Sequence, residues 1–575
     1  MAPALVVHGH FYQPPRENPW TEELAREPSA APFHDWNARI DAECYLPNGV
    51  ARVFDDAGRV VDIVNNYANL SFDVGPTLLS WLEAHDPSTY RRILAADADG
   101  RRAMAQGWGH VILPLASDRD LRTQVRWGLA DFEHRFRRRA EGMWLPEAAV
   151  DDRVLAALVE EGVAFTVLAP GQAGRVRPLG PGGAAGTGPW TDVKGGGVGT
   201  SVPYRWLHPD GSGRGVDIVF YEGGLSHAVA FELGTLSSQG LLDRVTAQPG
   251  GVCTIAADGE TFGHHQRWGE RFLAHALEVE APRHGVEVTS VAAHLRRHRP
   301  AHQVEVRLSS WSCAHGVGRW REDCGCSTGG QPGWDQRWRR PLRDALDLLR
   351  DHLAGVVDRR GPHVLRDPWA ARDAYIDVLL GRVSTDEFAA DHVIGDPVEA
   401  FSLLEALRHA MAMYTSCGWF FSDLAGLETL QVLRYAARVM DVLAELGEER
   451  REEAFLETLG KAESNVAEEG TGRDVWHRRV LPARVDADRA VAHLALVGLL
   501  EDRPPPARVG TFAVEVVDHD RADRGGVALV SGRVALAHLR TGRHTEHAYA
   551  ALHLGGLEVV GCTRRADRTG DSPAL

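Results

Sequence analysis

Seven short apolar runs punctuate the first 260 residues, at 5–7, 60–64, 110–113, 142–145, 165–168, 217–221 and 252–256. Each is too short to be a helix and fits a buried strand. Between them lie stretches of helical character, among them 77–83, with Leu78, Leu79 and Leu82 on one side, 119–137 and 151–161. Strands alternating with helical crossovers build a parallel sheet. Such a sheet can close into a barrel whose functional side chains follow the strand C-termini. His8, Asn65, Glu147 and Asp258 all sit just after apolar runs.

At 575 residues the chain exceeds one ordinary domain. The strand–helix alternation predicts a barrel domain over residues 1–300. The glycine-rich stretch 171–200 within it reads as a surface loop, either a lid or a disordered insertion. Residues 301–503 read as a linker followed by a helical domain. Leu342, Leu346 and Leu349 open its first helix, and helical spacing recurs in 368–382, 398–415, 424–447, 449–468 and 484–501. Pro504-Pro505-Pro506 ends it. Residues 507–563 then read as a small β-rich region, with strands at 511–517, 526–537 and 549–560, and 564–575 as a disordered tail.

A formal net charge of −16 argues against a nucleic-acid partner and against an anionic membrane surface; a neutral sugar would be indifferent to it. No run approaches the roughly 20 apolar residues of a membrane span. Residues 1–7 are too short for the apolar core of a signal peptide. Seven cysteines are too few, in a chain this long, for a disulfide framework, so a cytoplasmic setting is expected.

Three segments concentrate chemistry. His8-Gly9-His10 puts two imidazoles on one side of a strand, because side chains alternate with period two. Such a pair binds a metal, hydrogen-bonds sugar hydroxyls and a carboxylate, or is simply structural. In Gly142-Met143-Trp144-Leu145-Pro146-Glu147 the proline stops the strand and leaves Glu147 at its mouth. That carboxylate suits a nucleophile, a base or a metal ligand, or a plain cap for the helix near Asp151. In the third, a buried strand delivers Asp258, followed by Gly259 and Glu260. Two carboxyl groups flanking an anomeric carbon are what glycosyl transfer needs, about 5–5.5 Å apart in a retaining enzyme.

Taken together these segments resemble glycoside hydrolase family 57, the group of α-amylases, 4-α-glucanotransferases and α-glucan branching enzymes. The resemblance runs through His8-Gly9-His10 continuing to Gln13-Pro14, with Phe11-Tyr12 inserted. It continues through Gly107-Trp108-Gly109-His110 with Pro114, Trp144-Leu145-Pro146-Glu147, and Asp258 to Gly263. A fifth motif looks like Ser416-Cys417-Gly418-Trp419-Phe420, with glycine where members often carry an acidic residue. The closest likeness is to members with a long uncharacterised C-terminal region. The resemblance implies an α/β fold: an incomplete seven-stranded (β/α) barrel followed by a helical region and, here, a small β tail. It implies a retaining enzyme acting on an α-glucan or maltooligosaccharide with no cofactor. Glu147 would be the nucleophile and Asp258 the acid/base. His8, His10, His110, Trp144, Glu260, Trp268 and Trp419 would contact substrate.

One cluster falls outside these motifs. Cys313, His315, Cys324 and Cys326 would suit a zinc site, or are unliganded thiols in a loop. Two other readings of the chain stay open: a metal-dependent hydrolase of mannosidase or deacetylase type using the histidines, and a carbohydrate-binding protein without turnover.

Overall fold

The computed structural model describes residues 3–566 except Asp56 and Asp502. Among them seven parallel strands stand side by side: β1 (Ala4–Phe11), β2 (Ser71–Val74), β3 (Ala103–Gln106), β4 (Met143–Trp144), β5 (Phe165–Leu168), β6 (Gly215–Phe220) and β7 (Val252–Asp258). Their lateral order is β7-β1-β2-β3-β4, continued by a Gly142–Phe165 bridge into β5 and then β6. Past β6, the Glu222 N–H donates to the Thr254 carbonyl of β7 at 2.7 Å. The array thus curls back on itself, an α/β barrel-like fold. β1 is paired on both edges, which is why all of it beyond Ala4 is buried.

Helices cover the outside. Asp118–Phe136 starts where the Ser117 hydroxyl accepts the Asp120 N–H, and Asp152–Glu160 where Asp151 accepts that of Val154. Two expected barrel strands lie elsewhere. Residues 60–64 do form a strand, but it pairs with Ala51–Phe54 in a separate ribbon and exposes Val60, Val61 and Ile63. Asn65 follows that ribbon and bonds the Arg92 carbonyl, away from the barrel mouth. The barrel uses Ser71–Val74 instead, whose buried Ser71 and Asp73 disguise its apolar character. Likewise Ala103–Gln106, not 110–113, is the strand; residues beyond it turn toward the helix.

The glycine-rich stretch contains two strands, Ala173–Pro178 and Thr191–Asp192, rather than only loop. They extend a six-stranded sheet that starts at β5 and β6 and includes Tyr204–Leu207 and His302–Val306. Because His302–Val306 pairs there, the barrel unit runs past residue 300.

Helices Arg339–Val364, Pro397–Ala412 and Leu427–Glu445 dominate the next region and share a core containing Leu346, Leu349, Leu404, Val432 and Val439. The last long helix, Ala487–Glu501, belongs instead with the C-terminal sheet. Its Val491 and Leu494 pack on Val530, Val534, Leu536 and Tyr549. The proline run therefore joins helix and sheet within one unit instead of separating two. Arg564 and Arg565 end the final strand of that sheet, Val559–Arg565, so they are not part of a disordered tail; residues 567–575 lie outside the described chain. Among the described residues, no helix is long and apolar enough to cross a membrane.

Candidate active site

The register of β1 sets the site. His8 stands opposite Ser71 on β2 and Ala256 on β7; His10 stands opposite Asp73 and Asp258. Asp73 is fully buried and accepts from both histidines, from His8 Nε2 at 3.0 Å and from His10 Nδ1 at 2.8 Å, one on each oxygen. Burial alone would lower the His10 pKa. The Asp73 carboxylate, with Asp258 and Glu260 farther off, overrides it and holds His10 up at about 9. His110 goes the other way: burial, then the positive His10 beside it, push it well below its usual value. The two rings meet Nε2 to Nε2 at 3.2 Å. A protonated His10 therefore donates to a neutral His110, whose Nδ1–H donates to Ser416 Oγ at 2.6 Å. Trp144 is buried beneath, stacked on His8 and His10 at 4.7 and 5.2 Å.

Asp73 thus anchors two imidazoles in a dry interior. Asp73→Ala is expected to lose about 3–5 kcal/mol of stability, because it breaks a buried charged pair and leaves His8 Nε2 and His10 Nδ1 without their acceptor. Urea unfolding checks this, and an unchanged midpoint would contradict the arrangement.

Glu147 follows β4 in a left-handed conformation, φ 58° and ψ 23°, unusual for a non-glycine residue. A distant loop holds it there. Ser309 pairs with Val150, the Trp311 N–H donates to the Glu147 carbonyl at 3.0 Å, and the side chains follow. Trp311 Nε1 and Ser312 Oγ donate to Oε2 at 3.1 and 2.5 Å. Among the described residues Oε1 has no protein donor. Burial raises the pKa of Glu147; the Asp258 charge adds to this, while Ser312, His10 and Trp311 oppose it.

Glu147 and Asp258 line one cavity of about 720 Å³, with Tyr221, Trp311, Phe231 and Phe420 on its walls. Asp258 ends β7 exposed. The next residue must be glycine, since a Cβ on Gly259 would lie 2.2 Å from the Phe11 ring. Glu260 is buried behind, taking the Tyr45 hydroxyl at 2.6 Å and the Tyr12 N–H at 3.1 Å on one oxygen. Burial first, and then the Asp258 charge, push Glu260 up to about 7 against the Tyr45 hydrogen bond and the His10 charge.

The structure brings Glu147 and Asp258 together at the cavity, whereas His8, His10, His110, Trp144 and Glu260, expected to contact substrate, are buried and do not line it. Trp268 and Trp419 are not in the wall. Trp268 is half exposed under the Arg271 guanidinium, 3.8 Å away. Trp419 is fully buried, its Nε1 donating to the Arg339 carbonyl and its ring facing Arg343. The adjacent Phe420 reaches the cavity in its place. Asp73, Trp311 and Ser312 escaped the sequence reading. For Asp73 the signal is a carboxylate inside Phe72-Asp73-Val74; for the other two, only adjacency to Cys313.

Residues 101–307 match the family model for Glycosyl hydrolase family 57, and residues 334–573 match a domain of unknown function, DUF3536. No curated protein matches the chain. Among solved structures, an exo-type maltose-forming amylase from Pyrococcus sp. ST04 is similar at a TM-score of 0.61 and 15% identity, over 80% of this chain and 83% of that one. A GH57-type branching enzyme from Pyrococcus horikoshii gives 0.48 at 14% identity, over 84% and 99%. The first likeness shows a shared fold.

Proposed function

We propose that this chain, which carries a glycosyl hydrolase family 57 domain, is a retaining glycosidase or transglycosylase of α-amylase or 4-α-glucanotransferase type, acting on α-glucans or maltooligosaccharides. The seven parallel strands serve it as an incomplete (β/α) barrel. The observation that carries the reading is that Glu147 and Asp258, from the ends of two different strands, face one cavity.

Glu147 attacks the anomeric carbon and forms a β-glycosyl-enzyme, while Asp258 donates its proton to the leaving oxygen. Asp258 then takes a proton from the acceptor, water for hydrolysis or a sugar hydroxyl for transfer. Ser312 and Trp311, both on Oε2, hold the nucleophile's plane so that Oε1 attacks. The positive charge of His10 lies behind and favours ionised Glu147. Trp311 and Phe420 are the aromatic faces we assign to sugar stacking, in place of Trp268 and Trp419. A metal-dependent reading of the histidines finds less support. His8, His10 and His110 lie outside the lining of the cavity that Glu147 and Asp258 share.

Proton NMR of the first products from maltooligosaccharides, amylose and glycogen tests the reading. Initial release of α-anomers is expected. Initial β-anomers, or no turnover of any of the three, would overturn it. Ser312→Ala removes a donor that lowers the Glu147 pKa, so the carboxylate ionises only at higher pH. The acidic limb of the kcat/KM profile is expected to move upward. A limb that stays in place would remove Ser312 from this role.

A further inference from the structure

We propose that Cys313, His315, Cys324 and Cys326 bind a zinc ion that staples together the loop forming one wall of the active-site cavity. One ligand atom from each lies within 4.8 Å of all the others. Three of the six separations match the edges of a tetrahedron, and the other three stay within 4.8 Å. Zinc–sulfur bonds of about 2.3 Å and a zinc–nitrogen bond of about 2.0–2.1 Å give S–S edges of about 3.8 Å and S–N edges of about 3.5 Å. Cys313 Sγ lies 3.8 Å from both Cys324 Sγ and Cys326 Sγ, and Cys326 Sγ lies 3.5 Å from His315 Nδ1. A disulfide would need sulfurs about 2.05 Å apart, and three thiols cannot all be paired.

The surroundings are shaped for the cluster. Gly318 leaves it room, since a Cβ there would stand 3.0 Å from Cys324 Cβ and 3.5 Å from its sulfur. Three thiolates, a neutral imidazole and Zn²⁺ carry a net charge of −1. The buried Arg339 donates to the Cys326 carbonyl at 2.7 Å and supplies the compensating charge.

The loop needs such a staple. From residue 310 to 338 its one regular element is the short turn Gly318–Trp320, so little backbone pairing holds it. Yet both ends of the ligand set abut the cavity. Ser312, a donor to Glu147, precedes Cys313, and Ser327, which also lines the cavity, follows Cys326. With four protein ligands the coordination is closed, so this is a structural zinc with no open position for chemistry.

The inference goes beyond the glycosidase reading, and its test does not depend on turnover. Full-length protein from zinc-supplemented medium is passed over chelating resin and its metal counted by mass spectrometry. About one zinc per folded chain is expected, falling below about 0.1 in Cys324→Ser/Cys326→Ser. Cobalt exchanged into the wild type should show the intense visible bands of a tetrahedral thiolate site. Zinc removal should speed hydrogen exchange in residues 309–328 by at least about tenfold. Folded wild type retaining less than about 0.1 zinc, or a folded double variant retaining full zinc, would overturn the proposal. If the double variant does not fold, zinc-edge X-ray absorption on the wild type decides. Three sulfurs and one nitrogen support the site, and a shell of only oxygen and nitrogen rejects it.

Discussion

Glu147→Gln is expected to leave the fold intact and to lower glycosyl transfer by on the order of 10⁴-fold or more. The amide is nearly isosteric, and its oxygen can still accept from Ser312 and Trp311, so the loop at residues 309–312 keeps its hold. What disappears is the charge that, in the proposed mechanism, attacks the anomeric carbon. Among the described residues no further carboxylate lines the cavity beside Asp258, to which the proposal gives the acid/base role, and Glu260 is buried against Tyr45 and Tyr12. The comparison is kcat on maltooligosaccharides together with circular dichroism. A variant that keeps activity within about tenfold of wild type rejects Glu147 as nucleophile.

Asp258→Asn should divide substrates by leaving group. With maltooligosaccharides, whose leaving oxygen needs a proton, kcat/KM should fall by about 10²–10⁴-fold. With an activated glycosyl fluoride the first step should stay within about tenfold, because fluoride departs without that proton. Equal losses on both substrates would exclude an acid role. The same variant carries a pH signature. Burial is the main cause of the raised Glu147 pKa, and the Asp258 charge adds to it. Removing that charge lowers the pKa, so the acidic limb measured with the fluoride moves to lower pH. An upward shift would refute the coupling between the two carboxylates.

The strands that carry the two carboxylates are legible because their signals are local. Leu145 and Pro146 end β4 at Glu147, and Ile255 to Ala257 end β7 at Asp258. The helices at Asp118–Phe136 and Asp152–Glu160 are legible for the same reason, having caps and periodicity within reach of one another. The ribbon strand Val60–Val64 shows where this fails. Its β-branched residues promise a buried strand, but hydropathy does not tell which neighbour a strand finds, and among the described residues this one pairs with Ala51–Phe54 alone. Trp419 fails differently. Trp419 and Phe420 are adjacent on the short helix Cys417–Phe420, so they point different ways, and which one meets the cavity depends on how that turn docks against Leu427–Glu445.

Neighbouring residues are enough to reveal the groups at the strand ends: a carboxylate after Pro146, another before Gly259, two histidines on one face of β1, and a Cys/His set within one loop. Each follows from residues a few positions apart. What those groups meet follows from the assembled fold. Asp73 takes both histidines, His10 becomes the charged member and His110 the neutral one, and a loop more than 160 positions from Glu147 returns to hold it. The reason is physical. Periodicity states which side chains share a face of their own element, whereas protonation and orientation are set by the partner across the core, and chain closure alone decides that partner.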